Sequence, residues 1–344
     1  MLPQNASQNP APPPAWRQPV LSTLSPLAFG GAPLGNLYTE VSDAAAAAAI
    51  QRAWEGGIRH FDTAPYYGFG LSENRLGAAL VNVSRASFTL STKVGRLIEA
   101  DAGRQGQADG FAVDGLRARF DYSRDGVRRS VEASLRRLGT DHIDILFLHD
   151  IGALTHGEQH PQILAQALDE ALPEMARLRD EGLVGAIGLG VNEEAVCLEV
   201  MPRFSLDTIM LAGRYTLFEQ EASREVMARA EAEGVAILVA GPYNSGLLGD
   251  PDRPGDTYNY APASAAVRER AGRLYDTCHR SGADVGAAAL QFPLAHPAVA
   301  SVVCGLRSVA EVESALARQK AAVPANAWAA LRAEGIIAAG VPTP

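Results

Sequence analysis

Short apolar runs alternate along most of this chain with longer segments whose apolar positions recur at helical spacing. A run of a few apolar residues predicts a buried strand, and the longer spacing predicts a helix packed across it. Strands are expected at 27–30, 58–61, 88–91, 143–148, 184–189, 208–211, 235–240 and 299–304. Helices are expected at 43–55, 73–81, 125–138, 163–181, 193–201, 219–233, 263–281 and 309–320. Gly56-Gly57, Gly139, Gly182 and Gly234 follow helices where a left-handed cap residue belongs, and a strand follows within a few residues of each. Strand and helix in strict alternation imply parallel strands joined by crossovers. Without a break in composition, the repeat predicts one α/β domain, a (β/α)8 TIM barrel over residues 20–340. A doubly wound sheet with a second domain fits less well, because no GxGxxG follows the first strand. Residues 1–19, rich in Pro, Ala, Gln and Asn, read as a disordered tail.

Three connections exceed what a barrel needs, at 95–122, 150–160 and 241–262. Each follows a strand, so all three open on the C-terminal face where barrels keep their chemistry. Composition narrows the partners. A formal net charge of −9 with no Lys/Arg run argues against a nucleic-acid partner. Cys197, Cys278 and Cys304 lie far apart, without the spacing of a disulfide framework or thiolate metal site, as suits a reducing cytoplasm. No convergent ligand set suggests a metal. The longest apolar stretches fall short of a membrane span, and the first residues lack the pattern of a secretory signal. These features predict a cytoplasmic protein, monomeric or weakly self-associating, acting on a small molecule.

Four ionisable residues sit where strands end: Asp62, Tyr67 in the loop after it, Lys93 and His149. In a barrel, such positions converge on one pocket. The set suits proton transfer coupled to hydride transfer. A tyrosine is a poor acid or base at neutral pH unless an ammonium such as that of Lys93 stabilises its phenolate. Asp62 would hold the lysine charged, and His149 would donate a hydrogen bond to a substrate oxygen. From the residues alone, Tyr66 competes with Tyr67 for the tyrosine role, the other lining the pocket.

The stretch DTAPYYGFGLSENRLG at 62–77 follows the pattern DTAxxYGxxxSExxLG of the aldo-keto reductase superfamily, which the chain resembles from about 27 to about 331. GGAPLGN at 30–36 and STK at 91–93 strengthen the resemblance. It implies that the catalytic tetrad falls on Asp62, Tyr67, Lys93 and His149, which decides between the two tyrosines. The run from Phe120 to Asp150, with GLGVNE, LAGRYTLFEQ and GPYNSGLL, resembles the subgroup of D-threo-aldose 1-dehydrogenases, or L-fucose dehydrogenases, with pyridoxal 4-dehydrogenase among its relatives. That subgroup implies NAD(P)-dependent oxidation of the anomeric C1 hydroxyl of an aldose such as L-fucose or D-arabinose to a lactone. The rivals are a carbonyl reductase or alcohol dehydrogenase acting on a non-sugar ring, pyridoxal-like or a bulky keto-alcohol, and a non-enzymatic nicotinamide-sensing interaction protein.

The resemblance also implies where NADP or NAD would lie. Asp62 borders both the chemistry and the nicotinamide, and Gly31 and Ala32 would let the cofactor approach closely. Tyr215 would stack on the nicotinamide ring. The backbone amides of Asn244, Ser245, Gly246 and Leu247 would face the pyrophosphate. After the last strand come Gly305, then Arg307 as a partner for a 2′-phosphate, with Glu311 opposing one or binding a free ribose. Two positions depart from the broad family. Gly190-Val191-Asn192 stands where a Ser-Asn pair usually holds the carboxamide, leaving Asn192 for that role, and Ala212 replaces a glutamine on the sixth strand.

Overall fold

The structure is a computed structural model describing residues 16, 18–108 and 110–344. Most of the expected tail, residues 1–15 and 17, lies outside the described residues. Trp16, within the expected tail, packs with Val20, Leu21 and Leu24 of the expected barrel against side chains inside it.

Eight parallel strands close into a barrel, each hydrogen-bonded to its sequence neighbours and the last to the first. They are β1 (Leu27–Gly30), β2 (His60–Asp62), β3 (Thr89–Val94), β4 (Ile143–His149), β5 (Val184–Val191), β6 (Thr208–Ala212), β7 (Ala236–Ala240) and β8 (Val299–Gly305). The expected strands all form, several extending one to three residues further toward the C-terminal end. Most of those added residues, among them Asp62, Lys93 and His149, are polar or small, so an apolar run does not announce them.

The helices α1 (Asp43–Glu55), α2 (Leu71–Leu80) and α3 (Arg124–Leu138) follow β1, β2 and β3. Ser42 and Ser123 cap α1 and α3 by accepting backbone N–H bonds from Ala45 and Gly126. Gly139 and Gly234 take left-handed conformations at helix ends, at φ of 64° and 68°. The helix expected over 163–181 is broken into His160–Gln166, a wide turn at Ala167–Ala171 and Leu172–Asp180. Pro173 has no N–H for the preceding turn, and the extra residue of a π-type turn absorbs that defect. The helix expected at 219–233 begins only at Arg224. Val285–Gln291, an additional helix, escapes a periodicity reading because residues 285–290 are all buried and leave no polar face.

Strand alternation divides the side chains into two cores. Phe61, Leu90, Leu146, Leu148 and Val302 point outward against the helices. Ala28, Ile145, Phe147, Ala186, Met210, Leu238 and Val303 fill the barrel interior. The inward positions that end the strands are Gly30, Asp62, Lys93, His149, Gly190, Ala212, Ala240 and Gly305, and every one lines the same cavity. Three of these positions, Asp62, Lys93 and His149, carry ionisable groups, and the other five are glycine or alanine.

The connections expected to be long fold over this rim. The 95–122 segment is a pair of nested hairpins rather than an irregular loop, with Arg96–Ala100 against Leu116–Phe120 and Gln107–Ala108 against Phe111–Ala112. Its tip crosses to the connection after β1, where Phe111 bridges Leu37 and the Tyr38 amide donates to the Gly110 carbonyl at 2.8 Å. The 241–262 segment ends in a tight hairpin, Thr257–Tyr258 against Ala261–Pro262.

Candidate active site

Period-two alternation along β3 aims Ser91 and Lys93 inward, beside His60 and Asp62 of β2. Lys93 Nζ donates to Asp62 Oδ2 at 2.8 Å and to the Thr63 carbonyl at 2.9 Å. Ser91 Oγ donates to Asp62 Oδ1 at 2.7 Å. The pair is sealed from solvent, with side-chain exposures of 2% for Lys93 and 3% for Asp62. Burial works against the ammonium, but the charges of Asp62 and Tyr67 outweigh it and hold Lys93 above its usual range.

Lys93 Nζ lies 4.7 Å from the centroid of the Tyr67 ring, and Tyr67 packs edge-on to His149 with centroids 6.1 Å apart. The four residues thus meet at one mouth. Tyr66 takes the other position, with the Arg96 guanidinium 4.1 Å from its ring centroid, and it also lines the cavity. Burial raises the Tyr67 phenol above its usual range, and Lys93 pulls against that rise through its charge and a hydrogen bond. The expected lowering is therefore reversed, because desolvation of a phenolate exceeds what one ammonium returns. Burial also drives His149 well below its usual range, with Arg96 and Lys93 adding to the effect and Asp150 opposing it. Its imidazole is neutral at physiological pH.

The cavity over this mouth has a volume of about 350 Å³ and is walled by Leu37, Tyr38, Tyr66, Phe111, Asn192 and Tyr260. A second cavity of about 590 Å³ shares Pro33, Gly241, Ser245, Tyr260 and Gly305 with it and runs on to Arg307, Glu311 and Arg318. Together they form one elongated cleft that runs from the ionisable residues of the rim across its small ones. A third cavity of about 600 Å³, lined by Leu76, Leu80, Leu135 and Arg136, contains none of the four ionisable residues.

The residues expected to hold a cofactor divide into those that meet the cleft and those that do not. Ala32, Asp62, Asn192, Asn244, Ser245, Gly246, Gly305, Arg307 and Glu311 all line it. Gly31 does not, and its missing side chain answers to packing, since a Cβ there would stand 2.8 Å from the Asp62 carbonyl oxygen and from Ser72 Oγ. Tyr215 is also out of place. A positive φ of 51° turns its ring away into the core, against Phe292 at 5.7 Å and His296 at 5.2 Å. It cannot stack on a ligand in the cleft.

The phosphate-binding expectation narrows in the same way. Asn244, Ser245 and Gly246 are consecutive residues of positive φ, which turns successive amides toward one side. The Asn244 amide already donates to Gly241 at 3.0 Å and the Leu247 amide to Asn244 at 3.3 Å, while the Leu247 side chain is buried. Ser245 and Gly246 are left to offer their N–H groups. The Asn244 side chain holds the turn by accepting from Thr216 Oγ1 at 2.7 Å and donating to the Gly213 carbonyl at 3.2 Å.

Arg96, Asp150 and Tyr260 were not expected here. Arg96 Nη2 donates to Asp150 Oδ2 at 2.9 Å, and Asn192 Nδ2 donates to Asp150 Oδ1 at 3.1 Å. Asp150 carried a signal, a second ionisable residue beside His149 at a strand end. Arg96 carried none, because its place depends on the hairpin folding back. Tyr260, at a φ of 62°, reaches Asn192 Oδ1 with its hydroxyl at 3.4 Å while its amide donates to Ser245 Oγ at 3.1 Å. It spans both parts of the cleft.

A buried lysine–carboxylate pair, a neighbouring tyrosine and a neutral histidine on the C-terminal rim of a closed barrel, beside an elongated cleft, define a hydride-transfer oxidoreductase. The chain belongs to the aldo/keto reductase family, whose sequence profile matches residues 26–334, and it is an NAD(P)-dependent enzyme of that family. It is 39% identical over 327 residues to pyridoxal 4-dehydrogenase of Microbacterium luteolum, covering 92% of this chain and 95% of the relative. It is 38% identical over 325 residues to D-threo-aldose 1-dehydrogenase of a Pseudomonas species, with the same coverage of 92% and 95%. An aldo-keto reductase from Bacillus halodurans, in its holo form, superposes with a TM-score of 0.72 at 25% identity, over 95% of this chain and 98% of that one. Among the described residues, no helix is long and apolar enough to cross a membrane and no cluster suits a metal ion.

The small rim residues leave room for a flat nicotinamide, and filling that room should exclude the cofactor. Ala212→Leu places a larger side chain in the cleft, and overpacking of about 1–3 kcal/mol predicts roughly tenfold weaker cofactor binding or more. Fluorescence titration with NADH and NADPH checks this, and unchanged affinity for both would place the cofactor elsewhere.

Proposed function

We propose that this enzyme oxidises a ring hemiacetal, most simply the anomeric C1 hydroxyl of an aldose such as L-fucose or D-arabinose, to the lactone. The observation that carries the reading is the Lys93 ammonium held 2.8 Å from Asp62 and 4.7 Å from the Tyr67 ring centroid, at the mouth of the cleft. The nicotinamide cofactor supplies the hydride acceptor when bound, and Ser245, Gly246, Gly305 and the small rim residues fit it. Tyr67, as phenolate, takes the hydroxyl proton as the C1–H bond breaks and the C=O bond forms. Lys93 stabilises that phenolate, Asp62 keeps Lys93 charged and aimed, and His149 donates to the substrate oxygen.

A second substrate fits the same step. Tyr38, Tyr66, Phe111 and Tyr260 give the cavity aromatic walls, which suit a flat ring better than a polyhydroxylated one. Pyridoxal closes to a ring hemiacetal, and one of the most similar relatives bears the name pyridoxal 4-dehydrogenase. Against this, Asp150 and Asn192 offer polar groups that would read sugar hydroxyls. The shared requirement is a hydroxyl on a ring carbon already bonded to oxygen.

For the cofactor, the reading favours NAD. Arg307 Nε lies 3.1 Å from Glu311 Oε1, and the Arg307 amide donates to Glu311 Oε2 at 2.8 Å. A 2′-phosphate would have to displace that carboxylate and tolerate its charge. Glu311→Gln should therefore lower the KM for NADP about tenfold while moving that for NAD less, on the scale of one charge-assisted contact. Equal shifts for both cofactors would show that Glu311 does not discriminate between them.

The substrate proposal is tested by following reduced cofactor by absorbance with L-fucose, D-arabinose, L-galactose, pyridoxal and a cyclic secondary alcohol. Ring hemiacetals should turn over and the simple alcohol should not. Oxidation should accelerate as pH rises, because burial leaves the Tyr67 phenolate scarce at neutrality. Tyr67→Phe should lose about 10²–10⁴ in turnover with cofactor affinity retained. Wild-type turnover in that variant would refute the assignment.

A further inference from the structure

The two ring nitrogens of His149 have unlike surroundings. Nδ1 lies 2.9 Å from Arg96 Nη1, and a guanidinium donates but never accepts. Nδ1 therefore presents its lone pair, and the proton of the neutral ring is on Nε2. Nε2 lies 3.5 Å from Asp150 Oδ2, longer than a hydrogen bond of ordinary strength. Its N–H remains available on a side chain that lines the cavity.

Arg96 is itself fixed on several sides. Its second arm donates to Asp150 Oδ2 at 2.9 Å. The guanidinium lies 4.1 Å from the Tyr66 ring centroid and 4.9 Å from that of Phe120. Arg96 is 7% exposed and Asp150 8%. A buried ion pair of this kind adds little net stability, so its geometry is better explained by what it holds in place. The charged and titratable groups facing His149 are Lys93 from β3, Arg96 from the hairpin, Tyr122, whose hydroxyl donates to the His149 carbonyl, Asp150 from the end of β4, and Tyr66 and Tyr67 from the connection after β2.

We infer that Arg96 is the positioning residue that locks His149 into the neutral Nε2–H form, so that the imidazole can act toward a bound substrate only as a hydrogen-bond donor. This deepens the role proposed above for His149 and rests on it. The lock explains why a hairpin outside the barrel begins with a buried arginine: the segment that roofs the substrate cavity also sets the protonation of the group beneath it. Removing Arg96 frees Nδ1 to take the proton and leaves Asp150 as the dominant charge beside the ring. The imidazole then populates the wrong tautomer and, at lower pH, the imidazolium.

Nitrogen-15 NMR of histidine-labelled protein reads this directly, with His149→Gln identifying the His149 signals. Wild-type His149 should show a protonated Nε2 and an unprotonated Nδ1, unchanged from about pH 6 to about pH 9. In Arg96→Met the two signals should move toward tautomer-averaged positions and begin to titrate. Turnover should fall about 10–10²-fold with cofactor affinity retained, and an acid limb should enter the pH profile of kcat. Arg96→Lys, which restores a cationic donor, should recover part of the wild-type spectrum and rate. A wild-type His149 that is protonated on Nδ1, or that titrates in this range, overturns the inference whether or not the variants fold. So does an Arg96→Met protein whose His149 signals and pH profile match wild type. The spectrum needs no substrate, so failure of every sugar and of pyridoxal to react would count against the proposed function and leave this result to be judged by itself.

Discussion

The ion pair between Lys93 and Asp62 is the constraint around which the site is built. Two charges sealed inside a barrel are costly to desolvate, and they persist only with close geometry and further hydrogen bonds. Here those bonds come from Ser91 and from the Thr63 carbonyl. Losing either partner would strand the other, so the geometry of β2 and β3 and the charge of Lys93 are fixed together. Tyr67 then sits beside a permanent ammonium, and the depth that makes its phenolate scarce also excludes the water that would weaken that ammonium's influence.

The eight inward positions at the strand ends show how one rim serves two purposes. Asp62, Lys93 and His149 place ionisable groups on it, whereas Gly30, Gly190, Ala212, Ala240 and Gly305 leave space. Ala212, which departs from the broad family pattern, belongs with the second group. The walls come from outside the barrel. The hairpin after β3 brings Phe111, and the hairpin near residue 260 brings Tyr260. The ionisable groups thus rest on the strands, and the cavity walls rest on connections that can vary without disturbing them.

The barrel was legible because buried parallel strands are short apolar runs and their helices carry one apolar face. Asp62, Lys93 and His149 were legible for a related reason, as polar residues that interrupt an apolar run where the strand ends. The cleft was less legible. Tyr215 was expected at the ligand, but its position depends on one positive φ that the sequence does not declare. Leu247 sits in a turn whose amides are partly consumed internally, which spacing alone does not reveal. Arg96 was missed because its partners, Asp150 and His149, are brought to it only when the hairpin folds back over the rim.

The most direct test of the account is the pH dependence of kcat for oxidation of the best ring hemiacetal, compared between wild type and Lys93→Met, with cofactor binding as the check on folding. If Lys93 stabilises the Tyr67 phenolate, its loss removes the nearest positive charge, and the rise in kcat should move to higher pH while the plateau falls. A variant that keeps the wild-type midpoint would contradict the account, because the titrating base would then be indifferent to the charge on which the site is built.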